Sequence, residues 1–261
     1  MMSSPPVLDV SQRPSSVASG SDPLADAIAL IDGIGTAVDE AAVLRLLARV
    51  KPLLGAQNAA FVSFLRGHRE QESFRFLLSC DPVFCLKYQA QAWYAQDPWL
   101  VYAASHSEPA CASRIPMRTR SQRQVRELAA TFGFVSVYVV PAPASGPVSR
   151  LGVLVLGSRQ EGYFEAHASS KLKMLARALA MELHEWWVRR IRGEIIHSRR
   201  VTDEDLSLLR FERDGLGTKE IAALLDTTAA AIDSRFQRLN AKFSTPNRKA
   251  TARLATEYGL I

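Results

Sequence analysis

The residues from Tyr88 to Leu100, YQAQAWYAQDPWL, place one carboxylate, that of Asp97, among four aromatic side chains. The aromatic residues are Tyr88, Trp93, Tyr94 and Trp99. A carboxylate in an apolar neighbourhood needs hydrogen-bond donors, because its loss of hydration is otherwise uncompensated. The donors come either from the protein, as when an Asp caps a helix, or from a bound molecule. The stretch therefore predicts a structural cap, a ligand site, or both.

Catalysis would need a nucleophile beside a base, and the sequence offers one candidate set. Cys111 with His106 and either Asp81 or Asp97 could supply a thiol, an imidazole and a carboxylate. No pattern brings these residues together, and Cys111 stands in a segment that we predict to be a loop. We therefore expect no enzymatic activity and no catalytic residue.

The three cysteines are typical of a protein in a reducing compartment and do not form a metal-binding pattern. Cys80, Cys85 and Cys111 match no zinc-ligand spacing, so small buried thiols are the simplest interpretation, with redox use as the alternative. Unpaired thiols suit a reducing cytosol better than a secreted framework. We expect a cytoplasmic protein without a metal.

Length, charge and composition limit the number of domains and the classes of partner. A chain of 261 residues is long enough for two domains. The net charge of +6 and the isoelectric point near 9.4 permit a nucleic-acid partner without requiring one. Residues 1–22 are rich in Ser and Pro and are predicted to form a disordered tail. No apolar run has membrane length, so we expect no membrane association.

Residues 23–192 alternate helical and extended patterns, which predicts an α+β domain with helices on both faces of a sheet. Short connections favour antiparallel pairing for at least two strand pairs. A helix is predicted over PVFCLKYQAQAWYA, followed after Pro98 by a long loop. The predicted strands are AAFVSFL, SFRFLLS, FGFVSVYVVP and SRLGVLVLG.

A long amphipathic helix is predicted from Phe164 to Arg192. Its apolar stripe could form a dimer interface or could simply cover the sheet, and the pattern does not decide between them. The stripe consists of Leu172, Leu175, Leu179, Leu183 and Trp186.

Residues 193–200 are basic and are predicted to be a linker, and residues 201–261 have only helical patterns. Thr202 with Asp205 resembles a capping box, and Gly215 is a stop signal. Two short helices separated by the turn Asp226–Thr228 are typical of a helix-turn-helix. The second of these helices, over TTAAAIDSRFQRLNAKF, would present a polar, basic edge suited to a DNA groove, or merely a solvated face. That edge consists of Ser234, Arg235, Arg238, Ala241 and Lys242.

The region from Val201 to Ile261 resembles the DNA-binding domain of LuxR-type transcriptional regulators. The matching segments include Lys219-Glu220-Ile221-Ala222, Thr228 and Gly259-Leu260-Ile261. Asp233 departs from the pattern, because a basic or neutral side chain is common there. The resemblance implies DNA contacts from Thr218, Lys219, Thr228, Ser234, Arg235, Arg238 and Lys242.

The region from about Asp26 to Arg190 resembles the autoinducer-binding domain, an α-β-α sandwich. Tyr88, Trp93 and Asp97-Pro98 stand at the family's spacings. The resemblance implies that Asp97 accepts a hydrogen bond from the amide of an acyl-homoserine lactone. The implied pocket residues are Cys80, Phe84, Tyr88, Trp93, Asp97, Trp99, Ala112, Val137 and Val155.

Several implied pocket positions have lost a hydrogen-bonding group. Phe84 stands where the family has a Trp that holds the lactone carbonyl, Cys80 replaces a Tyr, and Val155 replaces a Ser or Thr. Each lost bond would lower lactone affinity about tenfold. We therefore expect a more apolar or atypical signal, or none, as in orphan or solo regulators.

Together these patterns predict a DNA-binding regulator that senses a small apolar signal. The family mechanism implies a homodimer on a palindromic operator in double-stranded DNA, with RNA polymerase as a further candidate partner. Apart from such a signal, no cofactor is expected. The alternative is a ligand-independent orphan, or an antagonist that forms heterodimers with other regulators of this type.

Overall fold

A computed structural model describes residues 22–65, 74–143 and 150–261 of the protein. The predicted tail of residues 1–22 lies outside this part of the chain except for Asp22, which caps the first helix. Residues 66–73 and 144–149 also lie outside it. They include the first residue of the second predicted strand and the first residue of the last one.

The described residues contain one sheet of five antiparallel strands in the order β2-β1-β5-β4-β3. The antiparallel sheet predicted from the sequence is confirmed, and four strands fall on the predicted segments. The two-residue β3 was missed, because so short a strand has no alternating pattern. The strands are β1 (Asn58–Leu65), β2 (Arg75–Ser79), β3 (Ala110–Cys111), β4 (Ser136–Ala142) and β5 (Arg150–Ser158).

One face of the sheet is covered by α1 (Pro23–Gly35), α2 (Glu40–Val50), α6 (Tyr163–His167) and α7 (Ser170–Ser198). The predicted long helix therefore does not begin at Phe164, since the chain breaks between α6 and α7. The Leu and Trp stripe of α7 is buried against the sheet within a single chain. Of the two roles left open for this stripe, covering the sheet is the observed one.

The other face is covered by α3 (Pro82–Ala90), α4 (Pro98–Ser105) and α5 (Arg120–Thr131). The predicted helix over residues 82–95 is shorter in the structure, and the loop predicted after Pro98 was wrong there, because α4 begins at that proline. Pro suits the first helical position, where its missing N–H and fixed φ have no cost. Asp97 is the N-cap of this helix.

Four helices follow α7, in the region where the sequence has only helical patterns. They are α8 (Asp203–Arg213), α9 (Thr218–Leu224), α10 (Ala229–Phe243) and α11 (Arg248–Glu257). The predicted capping box of Thr202 and Asp205 is present at the start of α8. Gly215, with a φ of +85°, follows the end of that helix in the left-handed region. The four helices enclose an apolar core of their own.

The predicted linker, residues 193–200, is mostly helical, because α7 continues to Ser198. Its last turn lies against α10. The Arg199 guanidinium donates a 2.7 Å hydrogen bond to the carbonyl of Lys242 and lies over the Phe243 ring. Whether this segment bends as a linker stays a prediction. Within the described ranges, no helix is both long and apolar enough to cross a membrane.

Gly157 lets β5 receive a buried aromatic ring. A Cβ at Gly157 would lie 2.3 Å from Cδ1 of Phe134, a side chain that is 1% exposed. We predict that Gly157→Ala displaces this ring and lowers the free energy of unfolding by roughly 1–3 kcal/mol. The measurement is chemical denaturation of the purified full chain.

Gly193→Ala is the matched control. Among the described residues, no heavy atom outside the adjacent residues and backbone of α7 lies within 4 Å of a Cβ at this helical position. The change should therefore be neutral or stabilise α7 by up to about 1 kcal/mol. Equal stabilities for the two variants would contradict the tight contact at Gly157.

Candidate ligand pocket and nucleic-acid interface

Asp97 is buried, with 3% exposure, and the protein itself supplies its donors. Its Oδ1 accepts the backbone N–H groups of Trp99 at 2.7 Å and Leu100 at 3.3 Å, which cap α4. Its Oδ2 accepts the Tyr88 hydroxyl at 2.7 Å. The structural cap that the sequence left as one alternative is therefore present, and a ligand is not required to satisfy this carboxylate.

The two side chains shift each other's pKa values. Burial raises the pKa of Asp97 above its ordinary value, although the hydrogen bonds from Tyr88, Trp99 and Leu100 act in the opposite direction. Burial also raises the pKa of Tyr88 well above its ordinary value, and the Asp97 carboxylate adds to that shift. Tyr88 therefore stays a hydroxyl donor at neutral pH.

A small cavity lies beside this pair. Its volume is about 30 Å³, whereas pockets for drug-sized ligands measure roughly 300–1,000 Å³. A volume of this size can hold about one water molecule. Its walls are Ala60, Val62, Phe76, Leu78, Phe84, Cys85, Tyr88, Asp97, Trp99, Leu100, Phe134 and Val155.

Aromatic rings occupy the space around the cavity. The Phe84 ring lies 5.4 Å from that of Phe134, 5.7 Å from Phe132 and 5.8 Å from Tyr88, measured between centroids. These distances are typical of packed aromatic pairs. A ligand the size of an acyl lactone would have to displace some of these rings.

Five of the nine predicted ligand residues line the cavity, namely Phe84, Tyr88, Asp97, Trp99 and Val155. The other four belong to the same apolar core without lining it, namely Cys80, Trp93, Ala112 and Val137. Sequence reasoning missed the walls contributed by β1 and β2. Alternation along those strands was the available signal, since Ala60 with Val62 and Phe76 with Leu78 each share one face of the sheet.

Trp99 brings an indole donor to the cavity wall. Its Nε1 is buried and has no hydrogen-bond partner among the described residues. An unsatisfied buried donor typically costs about 1–3 kcal/mol. The cavity wall therefore has an indole N–H donor at Trp99, although Phe84, at the position of the family's Trp, has no such donor.

The residues considered for catalysis have separate tasks in the structure. Asp81 caps α3 through the N–H of Val83, and Asp97 caps α4. His106 is exposed, and its Nδ1 lies 2.9 Å from Oγ of Ser105. Burial raises the pKa of the Cys111 thiol, which is the opposite of what nucleophilic activation needs.

In the C-terminal helices, the predicted DNA-contacting residues fall into two groups. Lys219, Ser234 and Arg238 are exposed, and Arg235 is partly exposed. The other three also have structural roles. Thr228 caps α10 through the N–H of Ala231, and the Thr218 hydroxyl accepts from Arg248 at 2.8 Å.

Lys242 is the most constrained of the predicted DNA-contacting residues. Its Nζ lies 2.5 Å from Oδ2 of Asp205, the acid of the α8 capping box, and donates to the carbonyl of Arg200 at 2.7 Å. These bonds join the end of α10 to the start of α8. A phosphate contact from Lys242 would compete with them.

The chain matches one protein-family model and is similar in fold to several solved structures. The model of the autoinducer binding domain family matches residues 39–185. No curated protein matches. The solved structure of Escherichia coli SdiA is similar with a TM-score of 0.64 and 17% identity, covering 92% of this chain and 99% of that one.

Two further structures are similar. SdiA in complex with octanoyl-rac-glycerol has a TM-score of 0.63 at 17% identity, over 92% of this chain and 97% of its own. The N-acylhomoserine-lactone-dependent LuxR family transcription factor CepR2 from Burkholderia cenocepacia has a TM-score of 0.55 at 18% identity. That match covers 65% of this chain and 98% of CepR2. At these identities the similarity concerns the fold.

The Asp97→Asn variant distinguishes the effect of the Asp97 charge on stability from the effect of its hydrogen bonds. Because the folded-state pKa of Asp97 is raised, the folded state favours the protonated acid, and stability is lost as pH rises through that pKa. Asp97→Asn keeps an acceptor for the cap and cannot ionise. We predict that, in denaturation at a series of pH values, its stability relative to the natural protein increases from about pH 4 upward. A relative stability that falls with pH would contradict this.

Asp97→Ala removes both the cap and the acceptor of the Tyr88 hydroxyl. We predict a loss of about 2–4 kcal/mol in the free energy of unfolding, the sum of a lost cap and a buried unsatisfied hydroxyl. The control is Asp81→Ala, which removes an exposed cap alone and should cost about 1 kcal/mol. Equal losses for the two variants would show that the bond to Tyr88 contributes nothing.

Proposed function

The chain belongs to the autoinducer-binding domain family, and from this we propose that it is a LuxR-type transcriptional regulator that binds DNA as a homodimer and senses a small apolar signal. The family match covers residues 39–185, more than half of the chain. The fold likeness to SdiA extends over 92% of it, and so includes most of the C-terminal helices. The expected compartment is the cytoplasm, where operator DNA and RNA polymerase would be its partners.

The observation that carries the DNA-binding proposal is the arrangement of α9 and α10. A short turn joins the two helices, and Asp226 in that turn has a φ of +46°. One face of α10 is buried through Ile232, Phe236, Leu239 and Phe243. The opposite face is solvent-exposed and polar, as a recognition helix in a major groove must be. We name α10 the recognition helix on this basis.

The contact between α7 and the recognition helix supports a coupling of sensing to DNA binding. Leu175 and Leu183 of α7 pack under the sheet, and the same continuous helix reaches Arg199, which bonds to the carbonyl of Lys242. A shift of α7 would therefore move the C-terminal end of the recognition helix. A ligand would act by changing the population of such positions.

The proposed ligand site is the cavity beside Asp97 and Tyr88. Its apolar walls favour a small apolar signal, either similar to an acyl-homoserine lactone or atypical. At about 30 Å³ the cavity must enlarge to admit one, and movement of Phe84 or Trp99 is the most direct route. The unpartnered Trp99 indole could then donate to an acceptor on the signal.

A ligand-independent regulator is the second candidate, and a specific observation favours it. The carboxylate that would bind a signal already accepts three hydrogen bonds from the protein, and aromatic rings fill most of the pocket. Such a protein would be folded and active without a signal. An antagonist that forms heterodimers is distinguished by its own weak DNA binding.

Arg238 tests the DNA-binding proposal. We predict that Arg238→Ala weakens binding to a palindromic operator, selected from a random library, by roughly 1–3 kcal/mol, because Arg238 is exposed on the recognition helix. Fluorescence anisotropy at fixed salt measures the affinity. Arg49→Ala, an exposed residue of α2, removes the same charge far from α10 and should leave affinity unchanged.

The pattern of the loss identifies the contact that Arg238 makes. A loss at the selected operator that exceeds the loss on unrelated DNA indicates base readout, and an equal loss on all sequences indicates a phosphate contact. If the natural protein selects no operator at all, the proposal of a DNA-binding regulator is wrong.

A further inference from the structure

The recognition helix carries one acidic side chain, and it lies on the exposed face. That face consists of Ala230, Asp233, Ser234, Gln237, Arg238 and Ala241, at the spacings of one helical stripe. Asp233 is the only Asp or Glu between Ala229 and Phe243. It stands in the second turn of the helix, and the N-terminal residues of a recognition helix are those that reach base edges.

The fold leaves most of the Asp233 carboxylate available. Its Oδ1 accepts a long hydrogen bond of 3.3 Å from the Thr218 hydroxyl. Among the residues that the structure describes, no Lys or Arg forms an ion pair with it. Two cations of this region have other partners, since Arg238 donates to Ser234 and Arg248 pairs with Glu212. Neither a salt bridge nor a helix cap accounts for this acid.

We propose that Asp233 determines specificity by selecting cytosine at one position of each operator half-site, an inference that rests on the proposed DNA-binding function. A carboxylate can only accept hydrogen bonds. In the major groove, cytosine offers its N4 amino group as a donor, whereas guanine offers the acceptors O6 and N7, and thymine the acceptor O4. Adenine offers an N6 donor, but its N7 acceptor stands beside it, which disfavours a group that can only accept. Asp233 therefore attracts cytosine and repels guanine at the position it faces.

The charge balance of the C-terminal region gives an acidic residue on this face a second effect, on non-specific DNA binding. The C-terminal region from Val201 to Ile261 has as many Asp and Glu as Lys and Arg residues, so its attraction to phosphates in general is weak. A further negative charge directed at the groove weakens binding to all DNA, but the bond to cytosine offsets this loss at the correct site. Asp233 thus increases the ratio of specific to non-specific affinity, which decides occupancy in a genome.

The Thr218 hydroxyl acts as a positioning group for Asp233. It accepts from Arg248 at 2.8 Å and donates to Oδ1 of Asp233, so the start of α9 holds one carboxylate oxygen. The other oxygen, Oδ2, remains for a base. Holding the side chain in one orientation reduces the entropy that binding would otherwise cost.

The test is a selection from a random palindromic DNA library with the full-length natural protein, Asp233→Asn and Asp233→Ala. Asp233→Asn should change the preferred base at one position per half-site from cytosine to adenine, because an Asn amide pairs with adenine N6 and N7. Asp233→Ala should lose the preference at that position and keep the others. Discrimination against guanine should decrease roughly tenfold.

Glu204→Gln is the matched control, because it removes one negative charge from an exposed position of α8 in the same region. It should leave the selected sequence unchanged. If the natural protein selects an operator and both Asp233 variants select the same bases, the inference is overturned while the proposed function stands. If the natural protein selects no sequence, both are overturned.

Discussion

The buried bond between Asp97 and Tyr88 is the constraint around which the N-terminal half is organised. One carboxylate starts α4 through two backbone N–H groups and fixes the end of α3 through the Tyr88 hydroxyl. These hydrogen bonds hold α3 and α4 together within the apolar core on this face of the sheet. The cavity lies beside this joint, so any molecule that enters it must leave these bonds intact or replace them.

The aromatic filling of the pocket has a consequence for signalling. The Phe84, Phe134 and Tyr88 rings pack where a ligand would otherwise contribute apolar area, and Gly157 allows Phe134 to lie against β5. A domain with a filled core does not need a ligand to fold. Under the proposed function, a signal would act on a protein that is already folded, by shifting α7 and, through Arg199, the recognition helix.

Local patterns predicted much of the fold and part of the site. Strand alternation and helix caps such as Thr202 depend on neighbouring residues, so they could be read directly from the sequence. The bond from Tyr88 to Asp97 could not, because only the packing of α3 on α4 brings the two side chains together. Pro98 was interpreted as the start of a loop, although after an Asp cap it begins a helix. The cavity volume depends on every ring around Phe84, and no sequence pattern contains that information.

Because the protein satisfies its own buried acid, we expect it to fold without a signal. Native mass spectrometry of the full chain, produced in a host that makes no acyl-homoserine lactone, tests this expectation most directly. We expect a compact charge-state distribution at the mass of the polypeptide or its dimer, with no small molecule bound. A stoichiometric bound molecule, whose removal gives the charge states of an unfolded chain, would contradict it.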